Sequence, residues 1–164
     1  MRIVIIFLFL IGLLKAQDCN TCNIHVNDSD FSTYTVSTGQ TLCIDSAGSV
    51  FGKIVLSGGL ICNKGFLNPS EISILSGTII NSGNITLSSS LITSSGTSIT
   101  VLESSVINVA GEFINNGSSI TNLGFINISG SISNNGGSFI NNNVINCSHV
   151  SSGSITNNSV INTN

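Results

Sequence analysis

A glycine returns about every nineteen residues, at Gly39, Gly58, Gly77, Gly96, Gly117, Gly136 and Gly153, with gaps of 19, 19, 19, 21, 19 and 17. A short polar step precedes most of them, such as Ser94-Ser95 or Asn115-Asn116. A fixed period of this length marks a chain that stacks equivalent units, each too small to bury its apolar face alone. Apolar columns follow the same period. The first is Cys43, Cys62, Ile80, Ile99, Ile120, Ile140 and Ile155; the second is Leu67, Ile85, Ile107, Ile126, Ile145 and Ile161. A weaker third precedes the glycines: Val36, Val55, Ile74, Thr93, Ile114, Ser133 and Val150.

Within each unit the pattern alternates, as in Ile107-Asn108-Val109 and Ile126-Asn127-Ile128. Alternation puts the aliphatics on one face of a strand and the polar residues on the other. Helix is disfavoured, because Gly, Ser and Asn are weak helix formers and no 3.6-residue period is present. The expected fold is all-β: a parallel β-helix, or β-solenoid, of about seven coils. An antiparallel sandwich would not require equivalent residues at every nineteenth position.

The chain opens with Met1-Arg2, an apolar run from Ile3 to Leu14, and Lys15-Ala16. That run is shorter than the ~20 residues a bilayer core needs, so residues 1–16 read as a cleaved secretory signal peptide with no membrane insertion afterwards. Residues 17–35 are expected to form an N-terminal cap, and residues 36–164 the solenoid repeats.

A secreted context permits disulfides. Cys43 and Cys62 stand nineteen residues apart, which places them in adjacent coils and predicts a Cys43–Cys62 bridge. Cys19 and Cys22 either pair with each other or cross-pair with those two, stapling the cap. The C-x-x-C lacks a second pair at zinc-ribbon spacing, so no metal is expected. Cys147 follows a core isoleucine by two residues and reads as a buried free thiol.

The charge pattern excludes several functions. No Lys, Arg, Asp or Glu occurs after Glu112, and the formal net charge is −3. Such a surface has no basic patch for a phosphate backbone, so nucleic-acid binding is not expected. The acids Asp18, Asp28, Asp30, Asp45, Glu71, Glu103 and Glu112 fall at different phases of the coil, and His25 and His149 are far apart. No carboxylate pair or nucleophile–base set is recognisable, so neither catalysis nor a cofactor is expected.

The segments Gly39-Gln40-Thr41-Leu42-Cys43-Ile44 and Ile54-Val55-Leu56-Ser57-Gly58-Gly59-Leu60-Ile61-Cys62-Asn63-Lys64-Gly65, with the Ile114-Asn115-Asn116-Gly117 type of repeat that follows, resemble bacterial secreted surface proteins of adhesin type. The resemblance spans residues 19–164 and implies an extracellular or cell-surface location and a role in adhesion or matrix building. It is one of repeat style, in which Asn/Ser/Gly-rich coils follow a signal peptide.

A non-catalytic structural or adhesive module is therefore the leading expectation. Its candidate contacts are two polar ladders: Thr86, Asn108, Asn127, Asn146 and Asn162, and Asn81, Thr100, Thr121, Asn141 and Thr156. The expected partner is a glycan or protein surface, or a second copy joined through the final coil at Val160–Asn164. Ice binding through the same ladders is the alternative, and a polysaccharide-active β-helix enzyme the third reading.

Overall fold

The computed structural model describes residues 19–163; the expected signal peptide lies outside them. The described residues contain strands and turns and no helix. They wind into a parallel β-solenoid of about seven turns, with three sides per turn.

Side one stacks Ile24–Val26, Thr41–Ile44, the second half of Ile54–Asn63, the second half of Ile72–Asn81, Thr97–Val101, Ser119–Asn122, Ser138–Asn141 and Thr156–Asn157. Side two stacks eight strands from Ser29–Asp30 to Val160–Thr163. Side three begins with Tyr34–Ser37 and the first halves of the two ten-residue strands. It continues as a separate sheet of Leu91–Ser94, Phe113–Asn116, Ile132–Asn134 and Val150–Ser152. Ile24–Asp30 and Tyr34–Ser37, within or bordering the segment expected as a cap, already pair in parallel with the next turn.

All seven periodic glycines sit at the corner between sides three and one, with φ from 72° to 147°. Only glycine adopts that backbone without strain, which is why the period is written in glycine. A second glycine row marks the corner between sides one and two for a different reason. A Cβ on Gly65 would lie 2.2 Å from the Asp45 carbonyl oxygen, because successive corners nest directly on one another.

The core is a stack of aliphatic columns. Side two contributes Leu67, Ile85, Ile107, Ile126, Ile145 and Ile161 in unbroken register, as the period implied. Side one contributes Leu42, Ile61, Ile79, Ile99, Ile120 and Phe139. That column corrects the sequence expectation. Cys43, Cys62 and Ile80 point outward and align with Thr100, Thr121 and Ile140, whereas Ile99 and Ile120 point inward. Ile79-Ile80 and Phe139-Ile140 are adjacent apolar pairs, so spacing alone does not say which member faces the core; a one-residue slip exchanges the faces. The third column is likewise mixed: Val36, Leu56 and Ile74 align, while the buried wall further along is Leu91, Phe113 and Ile132. Phe113 and Phe139 pack ring to ring at 5.5 Å inside the core.

The disulfides also differ from the expected Cys43–Cys62 bridge. Cys19 bonds Cys62 and Cys22 bonds Cys43, with Cα–Cα distances of 5.6 and 5.8 Å. Cys43 and Cys62 are direct neighbours in register on the outer surface of side one. Residues 19–23 fold back over that surface, held by Asn23 N–H to the Thr41 carbonyl at 3.0 Å and Thr41 N–H to Asn23 Oδ1 at 2.8 Å. Cys19 and Cys22 thus pack on Cys43, Leu60 and Cys62 in a small cluster apart from the main core. Nested loops of 43 and 21 residues also restrict the unfolded chain more than short Cys19–Cys22 and Cys43–Cys62 loops would. Loop entropy alone makes that difference about 2 kcal/mol. Cys147 is buried and free, as expected, and burial pushes its thiol pKa up.

Two disulfides are the chemistry of an oxidising compartment. Peptide mapping of non-reduced protein is expected to recover Cys19–Cys62 and Cys22–Cys43. Replacing Cys22 and Cys43 together by serine is expected to lower unfolding stability by about 3 kcal/mol. Recovery of Cys43–Cys62 from native protein would contradict this arrangement.

Candidate functional site

Parallel, in-register stacking places each side chain over its equivalent in the next turn, so a polar position becomes a row. The first expected ladder is such a row. Thr86, Asn108, Asn127, Asn146 and Asn162 are direct partners on side two, with side chains outward. Asn127 Nδ2 donates to Asn108 Oδ1 at 2.9 Å, Asn146 to Asn127 at 2.7 Å and Asn162 to Asn146 at 2.8 Å. Asn108 Nδ2 reaches Thr86 Oγ1 at 3.4 Å. An amide carries two N–H donors and two oxygen lone pairs. Within the row Asn127 and Asn146 each spend one of each, leaving one donor and one acceptor for something else, whereas Asn108 directs its Nδ2 to both Thr86 and Asn84.

The row stands between two unlike strips. On one flank lie Asn84, Val106, Phe125, Val144 and Val160, with Phe125 and Val160 exposed. On the other flank the next outward positions include Ala110 and Ser129, which are too small to fill the space. A groove of about 370 Å³ results, running beside Thr86, Asn108, Asn127 and Asn146. Apart from the buried Cys147 thiol, no residue lining it is ionisable.

The second expected ladder is not one row. Thr100 and Thr121 are partners, but Thr100 aligns with Ile80 and Thr121 with Ile140, and Thr156 also aligns with Ile140. Asn81 and Asn141 belong to a different, fully buried column at the corner between sides one and two. The one-residue slip that mis-phased the first apolar column misplaced this ladder too.

That buried column comprises Asn63, Asn81, Asn122, Asn141 and the more exposed Asn157. Asn63 Nδ2 donates to Asn81 Oδ1 at 2.8 Å, Asn122 to Asn141 at 2.7 Å and Asn141 to Asn157 at 2.8 Å. Each Nδ2 also faces a backbone carbonyl: Asn84 for Asn63, Val106 for Asn81, Val144 for Asn122 and Val160 for Asn141. Burial is tolerated at Asn81, Asn122 and Asn141 because both ends of the amide are used, whereas the buried Oδ1 of Asn63, at the start of the column, has no partner among the described residues. At one turn Val101 takes the asparagine's place. There the corner is longer, passes through Ser104 at φ 63°, and the buried Ser105 hydroxyl lies within hydrogen-bond distance of the Leu102 and Asn81 carbonyls, at 2.6 and 2.9 Å, which share its one proton. A readable signal existed: Asn-x-Gly-x before the side-two aliphatic, as in Asn63-Lys64-Gly65-Phe66-Leu67 and Asn122-Leu123-Gly124-Phe125-Ile126. A second buried polar column, Thr93, Asn115 and Asn134, lines the corner between sides three and one.

The outward face of side one, beyond the stapled segment, carries Thr78, Ser98, Ser119 and Ser138 beside Ile80, Thr100, Thr121 and Ile140. The hydroxyls of Ser98, Thr100, Ser119 and Thr121 have no hydrogen-bond partner among the described residues.

The acids do not converge. Glu71 pairs with Lys53 at 2.8 Å on the surface, Asp45 lies 3.6 Å from His25, and Glu112 accepts from Ser131 at 3.0 Å. No group of three or more His, Cys, Asp or Glu side chains comes together among the described residues. Asp30 accepts from the Tyr34 hydroxyl at 2.6 Å and from the Ser32 N–H at 2.6 Å. These bonds hold its carboxyl pKa below the ordinary value. Partial burial, then the bond to Asp30, pushes the Tyr34 phenol up to about 12.

Comparison with protein-family models, curated proteins and solved structures finds no match.

Two measurements check this description. Asn122→Ala strips a buried amide from three partners and is expected to cost about 3 kcal/mol, whereas Asn127→Ala in the outward row costs under about 1 kcal/mol. Equal costs in chemical denaturation would refute the distinction between the rows. Tyr34 is the single tyrosine, so its ionisation can be followed by absorbance. A phenol pKa raised on folding stabilises the fold below the unfolded value near 10 and loses that contribution as pH climbs through the folded value. The titration midpoint is expected near 12, falling in Asp30→Asn; an unshifted midpoint in the native protein would contradict the contact.

Proposed function

We propose that this chain is a non-catalytic, secreted or cell-surface module of structural or adhesive type, and that side two is its contact face. The observation carrying this reading is the outward amide row, in which Asn127 and Asn146 each keep one free donor and one free acceptor. A rigid scaffold holds those groups at one strand spacing, so a partner loses little free energy in ordering them. The groove beside the row and the apolar strip on its other flank give a ligand both hydrogen bonds and dry contact, the usual composition of a binding surface. Disulfides near the N-terminal end suit an extracellular setting.

The test is retention on insoluble uncharged polysaccharides and on cell surfaces, with sedimentation to detect self-association. Retention is expected, and Asn108→Asp combined with Asn127→Asp is expected to weaken it without loss of fold. A monodisperse monomer that binds none of these materials would reject the adhesive reading.

The unpartnered hydroxyls on side one, among them Thr100 and Thr121 of the second expected ladder, favour a second reading, ice binding. Flat, uncharged hydroxyl columns at fixed spacing could align water in ranks. Thermal hysteresis at high protein concentration is the expected signature, and its absence removes this reading.

A further inference from the structure

We infer that the groove beside the asparagine row on side two takes a linear, uncharged, equatorially linked glycan laid along the solenoid axis, one sugar per turn. The inference rests on the adhesive reading above and names its ligand.

Three observations select this occupant. First, the strands of side two already use their main-chain groups on one another, from Ser29–Asp30 to Val160–Thr163. An extended peptide lying on this face would find none of the main-chain hydrogen bonds from which strand addition draws its affinity. Second, the groove is free of charged side chains. It has no cation for a phosphate, sulfate or uronate and no anion for a basic segment, so a neutral ligand is the complementary one. Third, the polar groups of the groove repeat along the solenoid axis. Thr86, Asn108, Asn127 and Asn146 span four turns, about 14 Å at one strand spacing per turn. A pyranose chain with equatorial linkages is extended, and its advance per sugar is close to that spacing of about 4.8 Å. Successive sugars in such a chain turn opposite edges to a surface. An asparagine that retains one N–H and one lone pair meets a hydroxyl equally well as donor or as acceptor. Ala110 and Ser129 leave the room for the ring on one side of the row.

A chain lying across the turns would meet the amide row once and then cross Phe125 or Ala110, so the axial orientation is the one that uses every amide. The groove length then limits the ligand length that matters.

The test is calorimetric titration of the full chain with neutral β-1,4-linked glucose and N-acetylglucosamine oligomers from disaccharide to hexasaccharide. Affinity is expected to climb to about four sugars, one per turn of the groove, and to level off beyond that. Ala110→Phe, placed at an exposed position, is expected to fill the groove and remove binding. Asn127→Asp is expected to weaken the tetrasaccharide by about tenfold, and Asn135→Asp, on the rim of side three, to leave it unchanged. Circular dichroism melts establish that each variant is folded. Affinity independent of oligomer length, or an unaffected Ala110→Phe, would overturn the axial inference while polysaccharide retention kept the adhesive reading intact. If neither oligomers nor polysaccharides bind, the glycan inference falls, and the adhesive reading then stands or falls on cell-surface retention and self-association.

Discussion

Parallel stacking without offset is the constraint on which this molecule depends. Once a turn lies directly above its predecessor, every residue meets the equivalent position of the next turn at about 4.8 Å, and a repeated residue type must be content with a copy of itself. Aliphatics satisfy that condition by packing, and they form the inner columns. Asparagine satisfies it by hydrogen bonding, since its amide is donor at one end and acceptor at the other. Carboxylates and ammonium groups fail it, because a column of one charge repels itself. The scarcity of charge and the abundance of asparagine in this chain are therefore two results of one geometric rule.

The same rule decides which parts of the structure were legible in the amino-acid sequence. The corner glycines and the side-two column from Leu67 to Ile161 were plain, because nothing competes with a left-handed backbone for glycine or with a lone aliphatic between polar neighbours. The outward row through Asn108 and Asn127 followed from that column by simple alternation. Side one was harder. Ile79-Ile80 and Phe139-Ile140 offer two apolar residues for one inward place, and the choice is made by the turns above and below. The buried asparagines were hidden for a related reason: Asn81 and Asn141 look like the surface residues around them, and only the short corner they close distinguishes them. The expected Cys43–Cys62 bridge gives way to the cross-pairing that the sequence left open, because spacing reports which cysteines are neighbours, whereas the bonds formed depend on a segment folding back from outside the repeat.

Two kinds of asparagine row thus share one scaffold. At the inner corner each amide is fixed by a backbone carbonyl as well as by its neighbour, so the row is part of the frame. On side two the amides bond to neighbouring side chains and not to main-chain carbonyls, and Asn127 and Asn146 keep capacity in reserve. The frame makes the spacing of the outer row invariant, and the outer row turns that spacing into something a ligand can read.

The stapled segment gives the rod a mechanical asymmetry. A pull applied at Cys19 passes through its bond to Cys62, 43 residues along the chain, and enters the stack on the third rung of side one. The chain between those two cysteines is bypassed, so load on that end travels through a covalent shunt and the first turns stay wound under tension that would otherwise peel them away.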